Sequence, residues 1–228
     1  MSLPAVSLLL LAAVFFSADL WSWHRSIGYV GPGLSTLLAN FQVFFVTLAG
    51  FLLLGQRPPA SQLAAIPMAL VGLALIVGID WDALPGDYQL GIVFGLITAV
   101  TYAGYLLCLR RVREQSGHTS AAREMTVVSI FTAAMLGATV FAEGDSLAIQ
   151  GAADMAYLLC YGVISHCIGW LLIAGNLHRV SAATAGIALL LQPTLSFAWD
   201  VLFFARGVSV QELFGAALVL AAIYLGSR

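Results

Sequence analysis

The stretch Val30–Val77, VGPGLSTLLANFQVFFVTLAGFLLLGQRPPASQLAAIPMALVGLALIV, reads as two apolar segments joined at Gly55-Gln56-Arg57-Pro58-Pro59. Val180 to Leu225 reads as two more, joined at Ala205-Arg206-Gly207. Subtracting 150 from the second numbering superimposes the joins without a gap, and a glutamine then falls at the same place in each leading segment, Gln42 and Gln192. Few letters match; Val30/Val180, Leu52/Leu202, Leu63/Leu213 and Leu70/Leu220 are the main ones besides the glutamines. What repeats is the architecture. An ungapped internal repeat of apolar hairpins is the pattern of a secondary transporter fold.

Working outward, 61% of the 228 residues are hydrophobic and 9% charged, with a mean hydropathy of +0.98. A soluble domain carries roughly 25% charged residues, so that class is excluded. Lipid offers no partner to backbone N–H and C=O groups, which leaves helices or a closed barrel. The apolar runs are about 18 to 23 residues long and do not alternate; a spanning helix needs about 20 residues and a barrel strand about 9 to 11. The expected fold is all-α: a polytopic helical bundle with inverted-topology repeats and about eight membrane helices. Spans are expected at about 4–23, 32–54, 60–78, 89–109, 125–142, 153–175, 182–204 and 209–227. The first has no charged leader and no small-residue cleavage site after it, so it reads as a membrane helix and not a signal peptide. Cys108, Cys160 and Cys167 all lie in apolar runs and read as buried, inert thiols.

Orientation follows from the arginines, because the sequence has no lysine. Arg57, Arg110, Arg111, Arg113, Arg123, Arg179 and Arg228 fall on the side of the N-terminus; Arg25 and Arg206 fall opposite. The positive-inside rule then places both termini in the cytoplasm. Trp21, Trp23, Trp81, Tyr88 and Trp199 gather towards the outer interface, where amphipathic rings prefer to sit. Equivalent helices are five spans apart, and an odd offset inverts the second copy. At about 1.5 Å per residue Gln42 and Gln192 each lie about 15 Å deep, half-way through a core of roughly 30 Å. Carriers built this way bind their solute at that depth.

Trp23-His24-Arg25 leading into Gly31-Pro32-Gly33-Leu34-Ser35 and on to Asn40-Phe41-Gln42-Val43-Phe44, with Leu52-Leu53-Leu54-Gly55-Gln56-Arg57 at the turn, resembles the drug/metabolite transporter superfamily, specifically its EamA-type members. The resemblance covers essentially the whole chain. It implies a partial first repeat of three helices over 1–79 and a second repeat of five over 88–228, against five plus five in the family. A truncated gene model, a fragment and a real eight-helix variant all fit that count. The proline that family members often carry in the fourth helix is here Gln42-Val43, whereas Gln192-Pro193 retains it.

Polar groups at membrane depth are the candidate substrate-pathway residues: Asn40, Gln42, Gln192, Pro193, His166, Trp170, Asp19 and Tyr102. The amides either bind a polar solute or bond between helices, worth about 0.6 kcal/mol each. Pro193 crowds the carbonyl of Leu189 and kinks its helix, either as a gate or as a tolerated bend. His166, with Trp170 one turn along, either shuttles a proton or packs. Asp19 and Asp200 lie towards outer helix ends; each either faces a cavity or pairs with Arg25 or Arg206, and pairing is the expectation for Asp200. Tyr102 and Tyr105 either line the cavity or pack, and Gly91 with Gly95 forms a small-residue pair suited to close helix contact.

Enzyme signatures are absent: no HExxH, CxxC, GxSxG or P-loop. No cofactor or metal is expected. Partners are a small-molecule substrate, a coupling proton or exchanged solute, membrane lipid and a second copy of the chain; nothing suits nucleic acid. The expected function is secondary transport of a small organic solute by alternating access across a cytoplasmic membrane. The alternatives are a truncated or partner-dependent membrane protein without transport of its own, and a membrane-embedded enzyme using Asp19 and His24.

Overall fold

The computed structural model describes residues 3–55, 57–77, 84–116, 121–149, 151–169, 182–203 and 207–226. Those residues form only helices and connecting turns: α1 (Leu3–Ala39), α2 (Gln42–Leu54), α3 (Ala60–Val77), α4 (Gly86–Ser116), α5 (Ala121–Ala142), α6 (Ala152–Cys160) running on into a π-helical segment (Tyr161–Gly169), α7 (Ala182–Phe203) and α8 (Val210–Gly226). The helical class expected from composition is what the chain adopts. Among the described residues four helical stretches are long and apolar enough to cross a membrane: Ala5–Leu52, Ala60–Val77, Gly86–Val112 and Ala122–Ala142.

The first of these has 48 residues. Held straight it would run about 72 Å, more than twice the hydrocarbon thickness. It does not stay straight. Gly31 has φ 81° and ψ 163°, outside the helical region and open only to a residue without Cβ. The side chains of Ser26 and Ser35, about 13.5 Å apart along an unbroken helix, meet at 3.1 Å across it. α1 is therefore two limbs folded back at Gly31, which keeps the two expected spans distinct without a loop between them. Pro32 opens the second limb, where its missing N–H would have had no helical partner in any case.

The first limb packs along α4 and, beyond it, α5, around Leu9, Ala12, Tyr105, Val112 and Val128. Gly91 and Gly95 let both limbs approach α4 closely. A Cβ on Gly91 would lie 2.5 Å from Val30 Cγ1, and one on Gly95 would lie 2.6 Å from Leu38 Cδ1. At the far end of this seam Trp21 Nε1 donates to Glu143 Oε1 (2.9 Å), Arg25 pairs with the same carboxylate, and the guanidinium lies 4.2 Å from the Trp21 ring centre.

The Trp21 indole N–H, and then Arg25, hold the Glu143 carboxyl below its ordinary value. A depressed acid stabilises the fold above its unfolded pKa, near 4.3, and that contribution is lost as pH falls through the lower folded value. We expect Glu143→Gln to melt below wild type at pH 7, with the gap closing below about pH 4. Paired melting curves in detergent check this.

α3 packs on α8. Gly72 meets Val219, Ala65 faces Gly226, and Gln211 Nε2 donates to the Leu75 carbonyl (3.3 Å), so the two helices run antiparallel. The buried positions of α3 are Ala65, Ala69, Gly72 and Ile76. Adding 150 gives Gly215, Val219, Ala222 and Gly226, all buried in α8. A Cβ on Gly215 would sit 2.7 Å from the Gly72 carbonyl oxygen, and neither backbone can yield. Gly215→Leu is expected to cost about 2 kcal/mol or more through overpacking. Phe214→Leu next to it, where the ring is 66% exposed, should stay within about 0.5 kcal/mol. Thermal unfolding of the two variants checks the contrast.

One expectation is corrected here. Cys108 is buried, but Cys160 is exposed, because α6 turns its length away from the other described helices. The side chain of Cys167 lies outside the described residues.

Candidate functional site

Two places on the α1–α2 arm carry polar chemistry. The first is the fold-back itself. Gly31 has no side chain to cap the second limb, so the cap comes from elsewhere in the chain: Asp200 Oδ2, on α7, accepts the Gly33 N–H at 3.2 Å. An anion at a helix N-terminus also meets the positive end of the helix dipole. Ser196, one turn before Asp200, donates to the Pro32 carbonyl (2.9 Å) and lies 3.0 Å from the Thr36 hydroxyl, which itself donates to Pro32 (2.7 Å).

The carboxylate of Asp200 is nearly buried, at 2% exposure. Its expected pairing with Arg25 does not occur, because Arg25 is taken up by Glu143 on the far side of the first limb. Arg206 lies outside the described residues. The cap was missed because it joins residues 167 apart. Its trace in the sequence is a helix start, Gly-Pro-Gly, with no capping side chain of its own.

The second place is the junction between α1 and α2. The Phe41 N–H bonds to Leu38, Val43 to Asn40 and Phe44 to Phe41, each three residues back instead of four. This tight turn interrupts the span expected over 32–54. Asn40 Nδ2 donates to the Thr36 carbonyl (2.8 Å). Gln42 Oε1 is buried and accepts no hydrogen bond. An orphaned buried acceptor costs about 1–3 kcal/mol, so it is retained against stability. Short 3₁₀ stretches within a long helix frequently mark functional hinges.

The other expected pathway residues scatter. Pro193 is fully buried in α7, while Gln192 beside it is exposed. No hydrogen bond joins Gln192 to Gln42, so the structure does not bring the two amides together. Asp19 is buried on the first limb at 6% exposure, and no hydrogen bond reaches its carboxylate among the described residues; the Thr98 hydroxyl approaches only its main-chain oxygen, at 3.5 Å. Tyr102 on α4 lies within electrostatic reach of Asp19 and 5.5 Å from the ring of Tyr105, so these two expected residues share one seam. Tyr105 itself stacks on Phe16 at 4.7 Å and packs in the core. Trp170 and the side chain of His166 lie outside the described residues, although the backbone of His166 falls in the π-helical segment.

Comparison with known proteins adds an independent line. A family model described as the EamA-like transporter family matches residues 89–228, more than half of the chain. An uncharacterized transporter of Archaeoglobus fulgidus is 22% identical over 217 residues, covering 95% of this chain and 74% of that protein. The pseudopaline exporter CntI of Pseudomonas aeruginosa is 23% identical over 231 residues, covering 100% of this chain and 77% of its own length.

Proposed function

The chain belongs to the EamA-like transporter family, and we propose that it carries a small organic solute across the cytoplasmic membrane by alternating access. It is an integral membrane protein, and both the family and the relatives' names point to transport and not to enzymatic chemistry. The observation that carries the finer reading is the interrupted helix at Asn40–Phe44 with the unpartnered acceptor of Gln42 beside it. Discontinuous helices at the midplane are where secondary transporters expose backbone and amide groups to solute.

In this reading 1–79 and 88–228 are inverted copies, three helices and five, and both termini are cytoplasmic. The antiparallel α3–α8 seam, with its buried positions 150 apart, supports the inversion. Asn40 and Gln42 line the solute path at mid-depth. Asp19 and Tyr102 occupy the neighbouring α1–α4 seam. Asp19 is the group best placed to take up a coupling proton or an exchanged cation. The relative from Pseudomonas is named as an exporter, so export is the direction to test first.

The test is solute flux in proteoliposomes holding the full chain, screened across amino acids and other small metabolites. Saturable flux of at least one solute, absent from protein-free vesicles, is expected. No solute-dependent signal across the panel contradicts the proposal and favours a partner-dependent membrane protein.

A further inference from the structure

We propose that the groove between α4 and α5, at the end where Arg110 and Arg111 stand, binds an anionic phospholipid. One acyl chain lies along the groove and the headgroup phosphate sits on the two guanidiniums. The inference needs a membrane protein and not a carrier, so it stands apart from the transport reading.

α4 and α5 follow one another in the chain, yet each packs on the first limb of α1 and they hardly touch each other. The gap between them is a groove of about 470 Å³. Tyr102, Tyr105, Leu106 and Leu109 form its α4 wall, and Met125 stands on the α5 side. Those α4 positions recur three and four residues apart, so they make one apolar stripe along a single helix face. The floor is fixed, because Tyr105 stacks on Phe16 at 4.7 Å and its hydroxyl lies 3.7 Å from Met125 Sδ. The stripe ends in charge: Arg110 and Glu114, one turn apart, complete the lining.

Depth decides what fits. The apolar stretch of α4 that can cross a membrane stops at Val112, and that of α5 starts at Ala122. The stripe therefore lies inside the hydrocarbon edge, while Arg110, Arg111 and Glu114 stand at the boundary with water. A molecule apolar along its length and anionic at its head matches both.

The charge balance favours that head. Arg110 Nε donates to Glu114 Oε1 (3.0 Å) and Arg111 Nη1 donates to Oε2 (3.3 Å), so two cations share one carboxylate. The three side chains are 51%, 60% and 45% exposed. Ion pairs so open to water hold weakly. Each guanidinium carries a planar fork of N–H donors that suits phosphate, and the bonds to Glu114 use one on each. Arg123, exposed in the first turn of α5, adds a cation near the same level, whereas Glu124 beside it is buried at 1% exposure. The side chain of Arg113 lies outside the described residues. Basic pockets between membrane helices hold anionic headgroups by this combination of contacts.

The experiment counts adducts on the full chain by native mass spectrometry from detergent micelles, with phosphatidylglycerol, phosphatidylcholine and glycerol 3-phosphate as probes. Phosphatidylglycerol is expected to bind at least tenfold tighter than the other two. Replacing Arg110 and Arg111 together by Gln is expected to weaken it at least tenfold. Leu106→Trp, which fills the groove and leaves the arginines in place, is expected to weaken it at least threefold. Arg57→Gln, an exposed arginine at another join, should leave it unchanged. Equal binding of the two lipids would overturn the proposal, as would a loss at Arg57→Gln as large as that at the groove, or wild-type affinity in both groove variants. Glycerol 3-phosphate binding as tightly as the lipid would reject it in favour of a free-phosphate site. Dimers without bound lipid would reject it in favour of a second copy in the groove. No arm reads flux, so failure here leaves the carrier standing, and failure of the flux screen leaves the lipid site.

Discussion

Replacing either fold-back glycine with alanine is expected to unfold or badly destabilise the protein, while the same change three residues earlier is expected to help it. At Gly33 a Cβ would stand 2.8 Å from the α carbon of Phe197 and 2.9 Å from Asp200 Oδ2. The first neighbour is backbone on a packed helix and cannot turn aside. The overlap costs about 1–3 kcal/mol as overpacking. Pushing α7 away also stretches the bond from the Gly33 N–H to Asp200, and hydrogen bonds to charged groups contribute about 1.5–3 kcal/mol.

Gly31→Ala adds a left-handed backbone to a crowded site, since φ is +81° and its Cβ would meet the same carboxylate. Each variant is expected to lose about 3 kcal/mol or more, from overpacking and a lost charged hydrogen bond together. Gly28 lies inside the first limb with nothing within 4 Å of its Cβ position. Gly28→Ala should gain about 0.5–1 kcal/mol from helix propensity. Thermal unfolding of the three variants in one detergent checks the pattern, and a stabilised Gly33→Ala would contradict the fold-back geometry.

Gln42→Leu is expected to separate function from stability. Its Oε1 is buried and accepts nothing, so leucine removes an unmet acceptor at nearly constant volume. Folding should be unchanged or improved by about 1 kcal/mol. If the amide faces solute, transport should fall tenfold or more, the pattern of a site kept at the expense of stability. Asn40→Leu differs, because Asn40 already bonds the Thr36 carbonyl and helps close the tight turn. It should lose both stability, about 1 kcal/mol for one hydrogen bond, and flux. Flux and melting temperature measured on the same preparations distinguish the two outcomes.

The helical class was legible from composition because lipid leaves the backbone few choices, and most helix limits fall within a few residues of the apolar runs. The buried positions of α3 and α8 fall 150 residues apart, the spacing on which the repeat reading was built. What escaped is what depends on partners far away in sequence. Asp200 looks like an interfacial acid until the fold brings Gly33 to it. Glu143, which belongs to no motif in the sequence, captures Arg25 and Trp21 from a helix 118 to 122 residues away.

The span expected over 32–54 has no proline beside Gln42, yet Asn40 and Phe41 interrupt it through short-range bonds that no proline motif reports. In the other direction, matched depth put Gln42 and Gln192 together, and depth alone does not fix which way a helix face turns. Gln192 is exposed instead.

Everything in the carrier mechanism depends on the two copies facing opposite ways across the membrane. Arg57 and Gly207 stand at equivalent places, each exposed and each three residues before the helix that follows its join. Single cysteines placed at these two positions, in a chain with Cys108, Cys160 and Cys167 replaced, can be labelled in intact cells with a membrane-impermeant maleimide. The account predicts that the cysteine at 207 is labelled from outside and the one at 57 only after the membrane is opened. Labelling of both from the same side would contradict it.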